Sequence, residues 1–581
     1  MRALESQRSR AQESRAAIER LYIAMRHLII RGSYKPLGVS GESMKESLMT
    51  LQPEIYGAIS DPERVELDGL LYVFERLPMG IEECRYIKLV SKEGFEESHF
   101  KPIIPIKRKR NCYRIDEEQM FIEMTRGRSD IYDILTHLTF MYIESEKIRR
   151  NTTDSKGQLR REWYLLEQII EKEAKEEPFD KQVAFTYLST ILGRTFNETI
   201  FAFNKFEESN WTNSLFKLAY WLGKRSIEEF RDGKAREISF SSSLREKIGH
   251  HIHGELWARN IKSFLISKNW FNRPMHIISS NLHSVMNSFF AFPALRKIYV
   301  TASLEEMATQ ISLPKNKRWR DMIKAYALKH GMYQLDDTSG TNVSVQIFDL
   351  PSINHSQFPS IIEIDASYLE KEKPLLLVMD YAFGEQAYEI MDEFLKPFEE
   401  YKSKKLPLNV ASISIMGKAG TLSGNKGDIM IPFCHIFEGT ADNYPFQNEL
   451  SIEEFQDYGL KVYYGSMITV LGTSLQNRDI LRYFSQSSWK AIGLEMEGAH
   501  YQKAIQVASK IRGSVNPDVS LRYAYYASDN PLITGRTLAS GPLGTEGVKP
   551  TYLITLKFLN KILNPKPLLR NENEQMENYK E

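Results

Sequence analysis

Cysteine is scarce in this sequence. Only three of the 581 residues are cysteines, Cys84, Cys112 and Cys434, and they lie far apart and form no CxxC pair. This spacing argues against a disulfide framework and against a cysteine-ligated zinc site, and it is typical of a reducing compartment. We therefore expect a cytoplasmic protein.

Long hydrophobic runs and an excess of charge of either sign are also lacking. No uninterrupted apolar stretch approaches the ~20 residues that span a bilayer, and the opening residues, MRALESQRSRAQESRAAIERLY, contain no apolar signal-peptide core. The 76 lysines and arginines almost balance the 75 aspartates and glutamates, which argues against a broad basic field for nucleic acid. We expect neither a membrane nor a nucleic acid as a partner.

The chain is longer than one hydrophobic core supports, which predicts two or three domains. Helical periodicity dominates residues 1–290, apart from a stretch of shorter period between about Val65 and Arg114, and we interpret them as a mainly α-helical N-terminal region. Residues 291–565 alternate apolar strand-like runs with helices, as in LRKIYVTASLEEMATQI, KPLLLVMDYAFGEQAYEIMDEFL and LNVASISIMGKAGTL. This alternation is typical of an α/β domain whose mixed sheet is covered on both faces. Residues 566–581 are predicted to be a flexible tail.

Polar or glycine-rich segments follow the predicted strands of the second half. They are DYAFGEQA, MGKAGTLSGNKGD, LGTSLQNRD, the Glu495-Met496-Glu497 triplet and ASDNP. Ligands of such sheets lie beyond the carboxyl ends of the strands, and acids that converge there repel one another unless they bind something. A neutral polyol with a leaving group suits them, because carboxylates accept hydrogen bonds from hydroxyls and stabilise developing positive charge.

Each of these segments has an ordinary structural explanation when it is taken singly. A glycine turn after a strand is usually only a turn, and AGTLSG lacks the spacing of a dinucleotide or P-loop site. The Ser528-Asp529 pair suits a helix cap, and Glu495 and Glu497 suit a solvated strand end. Their order and spacing together favour a functional site.

The succession IMGKAGTL, GDIMIP, GLEMEGA and YYASDNPL resembles the motifs of the purine nucleoside phosphorylase and nucleosidase superfamily. Two segments, ITVLGTSLQNRD and SDNPLITG, make the AMP nucleosidases the most similar branch. The resemblance extends from near Leu295 to near Leu563. It implies a phosphorylase-like mixed sheet flanked by helices, chemistry on a purine compound, and a homo-oligomer.

The resemblance implies catalytic roles for two acids. Asp529 matches the family's acid that protonates purine N7, and general acid help of this kind is worth about 10²–10⁴ in rate. Glu497 matches the carboxylate that binds the ribose 2′ and 3′ hydroxyls and favours the oxocarbenium-like transition state. Met496 is expected to pack on the sugar, and Glu495 to cap or pair locally.

Other positions that match the family's motifs are expected to bind the substrate, namely Gly417, Ala419, Gly420, Thr473, Arg478 and Ser528. The first three match a turn that lets the backbone approach the ligand, although Thr421 replaces the family's second glycine there. Thr473 and Arg478 are expected in the walls around the base and the sugar-phosphate. Asp428 is expected to anchor its loop and not to touch the substrate.

The nucleophile is predicted from AFGEQA, which stands where phosphorylases hold inorganic phosphate. Glu385 in this segment would repel a dianion, which favours water, and Glu385, Glu305 or Glu306 could activate that water. We predict an N-glycosyl hydrolase, similar to AMP nucleosidase, that cleaves a purine nucleotide or nucleoside with no metal or organic cofactor; AMP is the first candidate substrate. A phosphorylase and a non-catalytic nucleotide sensor or scaffold are the alternatives.

Three further segments have competing interpretations. KRKR, at Lys107–Arg110, is either a solvated turn or an anion contact. GHHIHGE suggests partly exposed helix residues more than a metal site, because no HExxH motif follows. His283 and Asn287 lie one helical turn apart, which predicts capping and packing roles.

Overall fold

The computed structural model describes residues 2–209, 211, 213–399, 405–440, 442–534 and 544–565. The segment predicted to be a flexible tail, residues 566–581, lies outside this part of the chain. The helices are α1 (Arg2–Arg31), α2 (Val39–Leu51), α3 (Leu67–Phe74), α4 (Gly127–Thr152), α5 (Arg161–Ala174), α6 (Lys181–Leu192), α7 (Phe196–Glu208), α8 (Leu215–Asp232), α9 (Ser242–Gly249), α10 (Ile252–Ser267), α11 (Ser284–Leu295), α12 (Leu304–Ser312), α13 (Lys317–Lys329), α14 (Ala366–Glu372), α15 (Gln386–Leu395), α16 (Arg478–Gln486), α17 (Gly498–Gln506), α18 (Pro531–Thr534) and α19 (Val548–Leu563). The strands are β1 (Ser33–Tyr34), β2 (Tyr86–Val90), β3 (Cys112–Arg114), β4 (Gln119–Glu123), β5 (Glu237–Phe240), β6 (Met275–Ser279), β7 (Met332–Leu335), β8 (Val345–Asp349), β9 (Leu375–Met379), β10 (Val410–Thr421), β11 (Ile429–Phe437), β12 (Asn443–Pro445), β13 (Val462–Thr469), β14 (Ala491–Glu495) and β15 (Ser520–Asp529).

The first half of the chain is mainly helical, as its periodicity predicts, and it also carries a small sheet. Helix α1 buries Leu21, Met25 and Leu28 along one stripe, and Gly32, with φ +93°, follows its end. The sheet has five strands in the order β1-β5-β2-β4-β3. Two of them, β2 and β3, lie in the stretch of shorter period that the sequence shows before residue 115.

The second half is a mixed α/β unit built on a ten-stranded sheet, which confirms the predicted fold class. The main path is β12-β11-β13-β14-β10-β6-β9-β8-β7, and β15 pairs with both β10 and β11. The sheet takes in β6, which pairs in parallel with β10 and β9. This strand precedes residue 291, so the predicted domain boundary would separate it from the sheet to which it is hydrogen-bonded.

Five strands of this sheet close on themselves. Strand β10 pairs with β15, β15 with β11, β11 with β13, β13 with β14, and β14 again with β10. The contact between β10 and β14 is short and joins Gly420 to Leu494 and Thr421 to Gly493. The ring therefore brings the ends of β10, β14 and β15 to one place.

The two halves share a hydrophobic core. Helices α10, α15 and α17 cover one face of the large sheet, while α11, α13 and α19 cover part of the other. The rest of that second face packs on the N-terminal half, where Ile436, Ile468 and Leu494 join the core formed by α1 to α8. Burying each such side chain fully contributes about 1.5–3 kcal/mol, so the interface between the halves is a substantial part of the folding energy.

Two local predictions from the sequence are wrong. The run LRKIYV, expected to be β-rich, ends α11 at Leu295 and continues in turns and irregular backbone. The segment GKAGT, read as a turn, continues β10 to Thr421, and no helix follows it before β11. Small residues are common in both turns and tightly packed strands, and composition alone does not separate the two.

The described residues contain neither a membrane-spanning helix nor a side-chain cluster suited to a metal ion. None of their helices combines the length and apolarity needed to cross a bilayer. Within the same ranges, no group of three or more histidine, cysteine or acidic side chains is arranged to hold a metal ion. In GHHIHGE, His253 is buried, and its ring nitrogens contact the Ser91 hydroxyl at 3.0 Å and the Ser339 carbonyl at 2.7 Å.

Candidate active site

The two acids predicted to be catalytic follow strands that flank the same residue. Gly420 of β10 pairs with Leu494 of β14 on one side and with Asp529 of β15 on the other. Glu497 lies three residues beyond Leu494, so the two acid-bearing strand ends are separated by one strand, or about 10 Å between backbones. Residues paired across a ladder point to the same face, which places Asp529 on the face of Leu494, where the N-terminal half packs.

Glu495 and Glu497 have different partners although they are close in sequence. The buried Glu495 accepts hydrogen bonds from the Thr469 hydroxyl at 2.5 Å and from the backbone N–H groups of Glu497 and Gly498. Those N–H groups open α17, so Glu495 caps that helix, as expected from the sequence. Burial raises the pKa of Glu495 to about 7, although its three donors favour the carboxylate.

Glu497 lies just beyond the end of β14, and two backbone N–H groups hold its carboxylate. Its Oε1 accepts a hydrogen bond from the Gly384 N–H at 2.9 Å, and its Oε2 accepts one from the Met496 N–H at 3.3 Å. Burial, and then repulsion by Glu495, raise the pKa of Glu497 to about 8. Glu495 accepts one hydrogen bond more than Glu497, which favours the charged form of Glu495 over that of Glu497.

Gly384 connects this carboxylate to the N-terminal half. Its φ is +56°, and an added Cβ would collide with the Ser129 hydroxyl at the start of α4. The next residue, Glu385, donates its N–H to the same hydroxyl at 2.8 Å. The loop that holds Glu497 is therefore fixed by a residue of the first half, and Met496 packs in the core shared by the halves.

Asp529 ends β15 and is oriented by its neighbour. Ser528, the residue at the register shift of β15, donates a hydrogen bond to Asp529 Oδ1 at 2.5 Å and is also within 3.0 Å of the Ala419 carbonyl. Lys418 is close enough for its charge to interact with Asp529. Burial lowers the pKa of Lys418, and Asp529 opposes that effect.

The glycines predicted to form a ligand-facing turn lie inside β10. Gly417 is required there because an added Cβ would lie 2.9 Å from the Tyr525 ring. Ala419 is buried in the core, and Gly420 makes the double pairing described above. The true turn follows Thr421, whose hydroxyl accepts hydrogen bonds from the N–H groups of Ser423 and Gly424.

Asp428 lies at the end of this turn and anchors it. Its carboxylate accepts hydrogen bonds from the N–H of Asn425 at 2.8 Å and from that of Lys461 at 3.4 Å. This is the role expected from the sequence.

Thr473 and Arg478 contact the N-terminal half. The Thr473 hydroxyl lies 3.3 Å from the Tyr72 hydroxyl, and the Arg478 guanidinium lies 3.5 Å from the Glu54 carboxylate. Both residues follow β13, whose last residue, Thr469, pairs with Glu495.

The three glutamates considered for water activation lie in different places. Glu305 is ion-paired to Lys549 at 3.5 Å, and Glu306 accepts hydrogen bonds from Tyr299 and Thr301 in the first turn of α12. Glu385 lies beside Gly384, and its carboxylate is ion-paired to Arg128 of α4 at 3.1 Å. Because that ion pair neutralises Glu385, its carboxylate repels a phosphate dianion less than an unpaired one would.

The N-terminal half contributes residues to the site that no sequence motif indicates. Ser129, Arg126 and Arg128, at the start of α4, contact the loop before α15. No motif marks these residues, because they lie more than 250 positions before the loop in the chain. The sequence RGRSDIYD gives no signal of this contact, because Ser129 and Asp130 suit an ordinary helix cap.

A family model covers nearly the whole chain. It matches residues 42–322 and 306–564, and its description is a family of unknown function, DUF6909. The chain belongs to this family. No match was found among curated proteins.

Solved structures resemble the DUF6909 chain over about half of its length. The 5′-methylthioadenosine/S-adenosyl homocysteine nucleosidase of Campylobacter jejuni has 12% identity and a TM-score of 0.29, over 50% of this chain and 100% of that one. Futalosine hydrolase of Helicobacter pylori has 11% identity and a TM-score of 0.28, over 49% and 98%. The apo 5′-methylthioadenosine nucleosidase of Arabidopsis thaliana has 12% and 0.29, over 51% and 98%.

Proposed function

We propose that this protein hydrolyses the N-glycosidic bond of a purine nucleotide or nucleoside, with AMP as the first substrate to test. The observation that carries the proposal is the double pairing of Gly420, which puts Asp529 and the Glu495–Glu497 segment on either side of one strand end. The order of the sequence motifs supports the same site. The free purine base and the (phospho)ribose are the expected products.

In the proposed reaction the bond between C1′ and the purine N9 breaks and its electron pair stays with the base. Asp529 donates its proton to N7, so that the base leaves as a neutral molecule, and Ser528 keeps that carboxyl oriented. The oxygen of water forms the new bond to C1′, and its released proton passes to a basic group or to solvent. Each step balances without a metal or an organic cofactor.

Glu497 is proposed to bind the ribose 2′ and 3′ hydroxyls. In the free protein its raised pKa of about 8 leaves it largely protonated near neutral pH. Two hydroxyl donors would stabilise its carboxylate, because hydrogen bonds to the charged form lower a pKa. The resulting negative charge then lies beside the sugar as positive charge develops on it.

Glu385 is the first residue to test as the activator of water, because it is adjacent to Gly384, which binds Glu497. A phosphorylase is the second candidate function, favoured by the ion pair that neutralises Glu385. We further propose that the protein is a homo-oligomer, which light scattering after size exclusion would establish.

A base-release assay tests the proposal. Wild-type protein should release free purine from at least one member of a panel of nucleosides and 5′-nucleotides without added phosphate. Asp529→Asn should bind the same compound and release little base. Ribose 1-phosphate that forms only with added phosphate would establish the phosphorylase, and equal binding without base release by either protein would establish a nucleotide sensor.

A further inference from the structure

Four arginines of the N-terminal half, Arg76, Arg108, Arg110 and Arg126, converge beside the first turns of α4; we call them the arginine cluster. Two of them belong to the KRKR segment. Its lysines are exposed, as a solvated turn requires, whereas Arg110 is buried with a side chain only 1% exposed. The side chain of Arg76 is 4% exposed.

Two aspartates of α4 hold three of these arginines, and the fourth, Arg76, donates to the Tyr72 carbonyl at 2.8 Å. Asp133 accepts a bidentate contact from Arg108, with both N–O distances 2.9 Å, and Arg110 reaches the same carboxylate at 2.9 Å. Asp130 accepts hydrogen bonds from Arg110 at 2.6 Å and Arg126 at 2.9 Å. Such forked contacts fix the guanidinium planes and leave their remaining N–H groups pointing elsewhere.

The cluster carries more positive charge than its acidic partners neutralise. Four guanidiniums face two carboxylates, and Glu75, which lies 3.7 Å from Arg76, is already paired with Lys107 at 2.6 Å. Burial lowers the pKa of His137, which adds no charge near neutral pH. A formal excess of two positive charges is therefore held in a largely buried place, which is costly without an anion.

Donor groups in the cluster are also unused. Among the described residues, Nε and Nη1 of Arg110 and Nε of Arg76 and Arg126 are buried without a hydrogen-bond partner. Buried donors of this kind are rare in folded proteins, and each leaves a desolvation cost uncompensated. A ligand that offers several anionic oxygens at once would satisfy them.

The cluster reaches the candidate active site at two points. The guanidinium carbons of Arg126 and Arg108 lie 4.7 Å and 5.7 Å from the centre of the Phe383 ring. Phe383 directly precedes Gly384, whose N–H binds Glu497. On the other side, Arg76 lies over the Tyr72 ring at 3.4 Å, and the Tyr72 hydroxyl contacts Thr473.

We propose that the arginine cluster binds the 5′-phosphate of the substrate, which makes a nucleoside 5′-monophosphate, and not a nucleoside, the substrate class of this protein. The inference rests on the proposed function, because it takes the sugar to be bound at Glu497. A phosphate monoester carries a charge of about −1.5 to −2 and three acceptor oxygens, which match the excess charge and the unused donors. Arginine forks suit phosphate geometry better than lysine does.

Binding and base release, measured separately, test this assignment. The full-length protein is titrated with AMP, adenosine and inorganic phosphate, and purine release is followed from the first two. Arg126→Gln and Arg76→Gln should each weaken AMP binding about 10–100-fold, as expected for losing charged hydrogen bonds to phosphate, and leave adenosine binding within about twofold. Arg126→Lys should have an intermediate effect.

Arg64→Gln is the matched control, because Arg64 forms an exposed ion pair with Glu198 away from the cluster. It should bind AMP like wild type, and melting curves without ligand identify any variant that fails to fold. Equal loss of AMP and adenosine binding, or no preference of wild type for AMP, would overturn the inference.

The outcomes separate the inference from the proposed function. AMP binding that depends on the cluster, without base release, would retain the phosphate site and reject the hydrolase. Base release from adenosine and AMP alike, unchanged in the variants, would retain the hydrolase and reject the phosphate site. Cluster-dependent binding of inorganic phosphate with formation of ribose 1-phosphate would assign the cluster to the nucleophile and overturn the 5′-phosphate assignment.

Discussion

Two regions meet at Gly384, and they are built in opposite ways. The strand ends of the large sheet supply acids, Glu497 and Asp529, from segments that are hydrogen-bonded to one strand. The arginine cluster supplies cations from three separate segments, and Asp130 and Asp133 bind those of two of them. Catalytic residues on neighbouring strand ends therefore leave a motif in the sequence, whereas a binding surface assembled by tertiary contacts does not.

The largest expected effect distinguishes Asp529, the proposed proton donor, from Asp428, which anchors a loop. Asp529→Asn should lower the rate of base release by about 10²–10⁴, because the base loses its proton donor. Asp428→Asn is the matched control, since that acid only anchors a loop. Steady-state rates for both variants near pH 7 measure the difference, and equal rates would remove Asp529 from the chemistry.

The next effect separates Glu497 from its neighbour. Glu497→Gln should reduce kcat/KM by about 10²-fold, because the charge beside the sugar is lost. Glu495→Gln should mainly destabilise the protein, by about 1 kcal/mol, since it weakens the cap of α17. Kinetics and urea unfolding of both variants provide the measurement, and a reversed pattern would exchange their roles.

Gly384→Ala tests whether the contact between Gly384 and Ser129, which joins the two halves, positions the Glu497 carboxylate. The new Cβ would displace Ser129 and draw the Gly384 N–H away from Glu497, so we expect base release to fall about tenfold or more. Gly94→Ala is matched, because Gly94 also has a positive φ, +84°, but nothing lies within 4 Å of the added Cβ. If both variants retain full activity, the loop does not position the carboxylate.

The smallest expected effect is on the pH dependence of the free energy of unfolding. The pKa of Glu497 rises from 4.5 to about 8 on folding, so the folded state binds its proton more tightly. Glu497 therefore costs no stability below pH 4.5, and its cost grows as pH rises toward 8. Unfolding free energies should fall less between pH 5 and 8 in Glu497→Gln than in wild type. The full pKa shift corresponds to about 3–4 kcal/mol over this range, and solvent screening of the partly exposed side chain reduces it to about 1–2 kcal/mol. Parallel curves would mean that the folded pKa is ordinary.

Much of the second half could be predicted from its sequence. The run from Ala491 to Gln506 predicts a strand, then the Glu495-Met496-Glu497 triplet, then a helix. Strand β14 and helix α17 lie at these positions. Such segments can be predicted because a buried strand is a continuous apolar run, and the hydrophobic period changes where the helix begins. The run LRKIYV forms no strand, because an apolar run near a helix needs a partner strand to pair with.

Two other segments could not be predicted, because their structures depend on contacts with residues distant in the sequence. The glycines of GKAGT suggest a turn, but the segment is part of β10. Gly417 is needed there because the Tyr525 ring leaves no room for a side chain. KRKR gave no indication that its two arginines are held by α4 while its lysines are exposed. Tertiary packing decided both cases, and one sequence carries no direct signal of it.

A crystal structure of Asp529→Asn with AMP bound would test the central claim most directly. We predict the ribose hydroxyls on Glu497, purine N7 beside residue 529, and the phosphate among the guanidiniums of the arginine cluster. A nucleotide bound elsewhere, or side chains 497 and 529 that face separate cavities, would contradict the account.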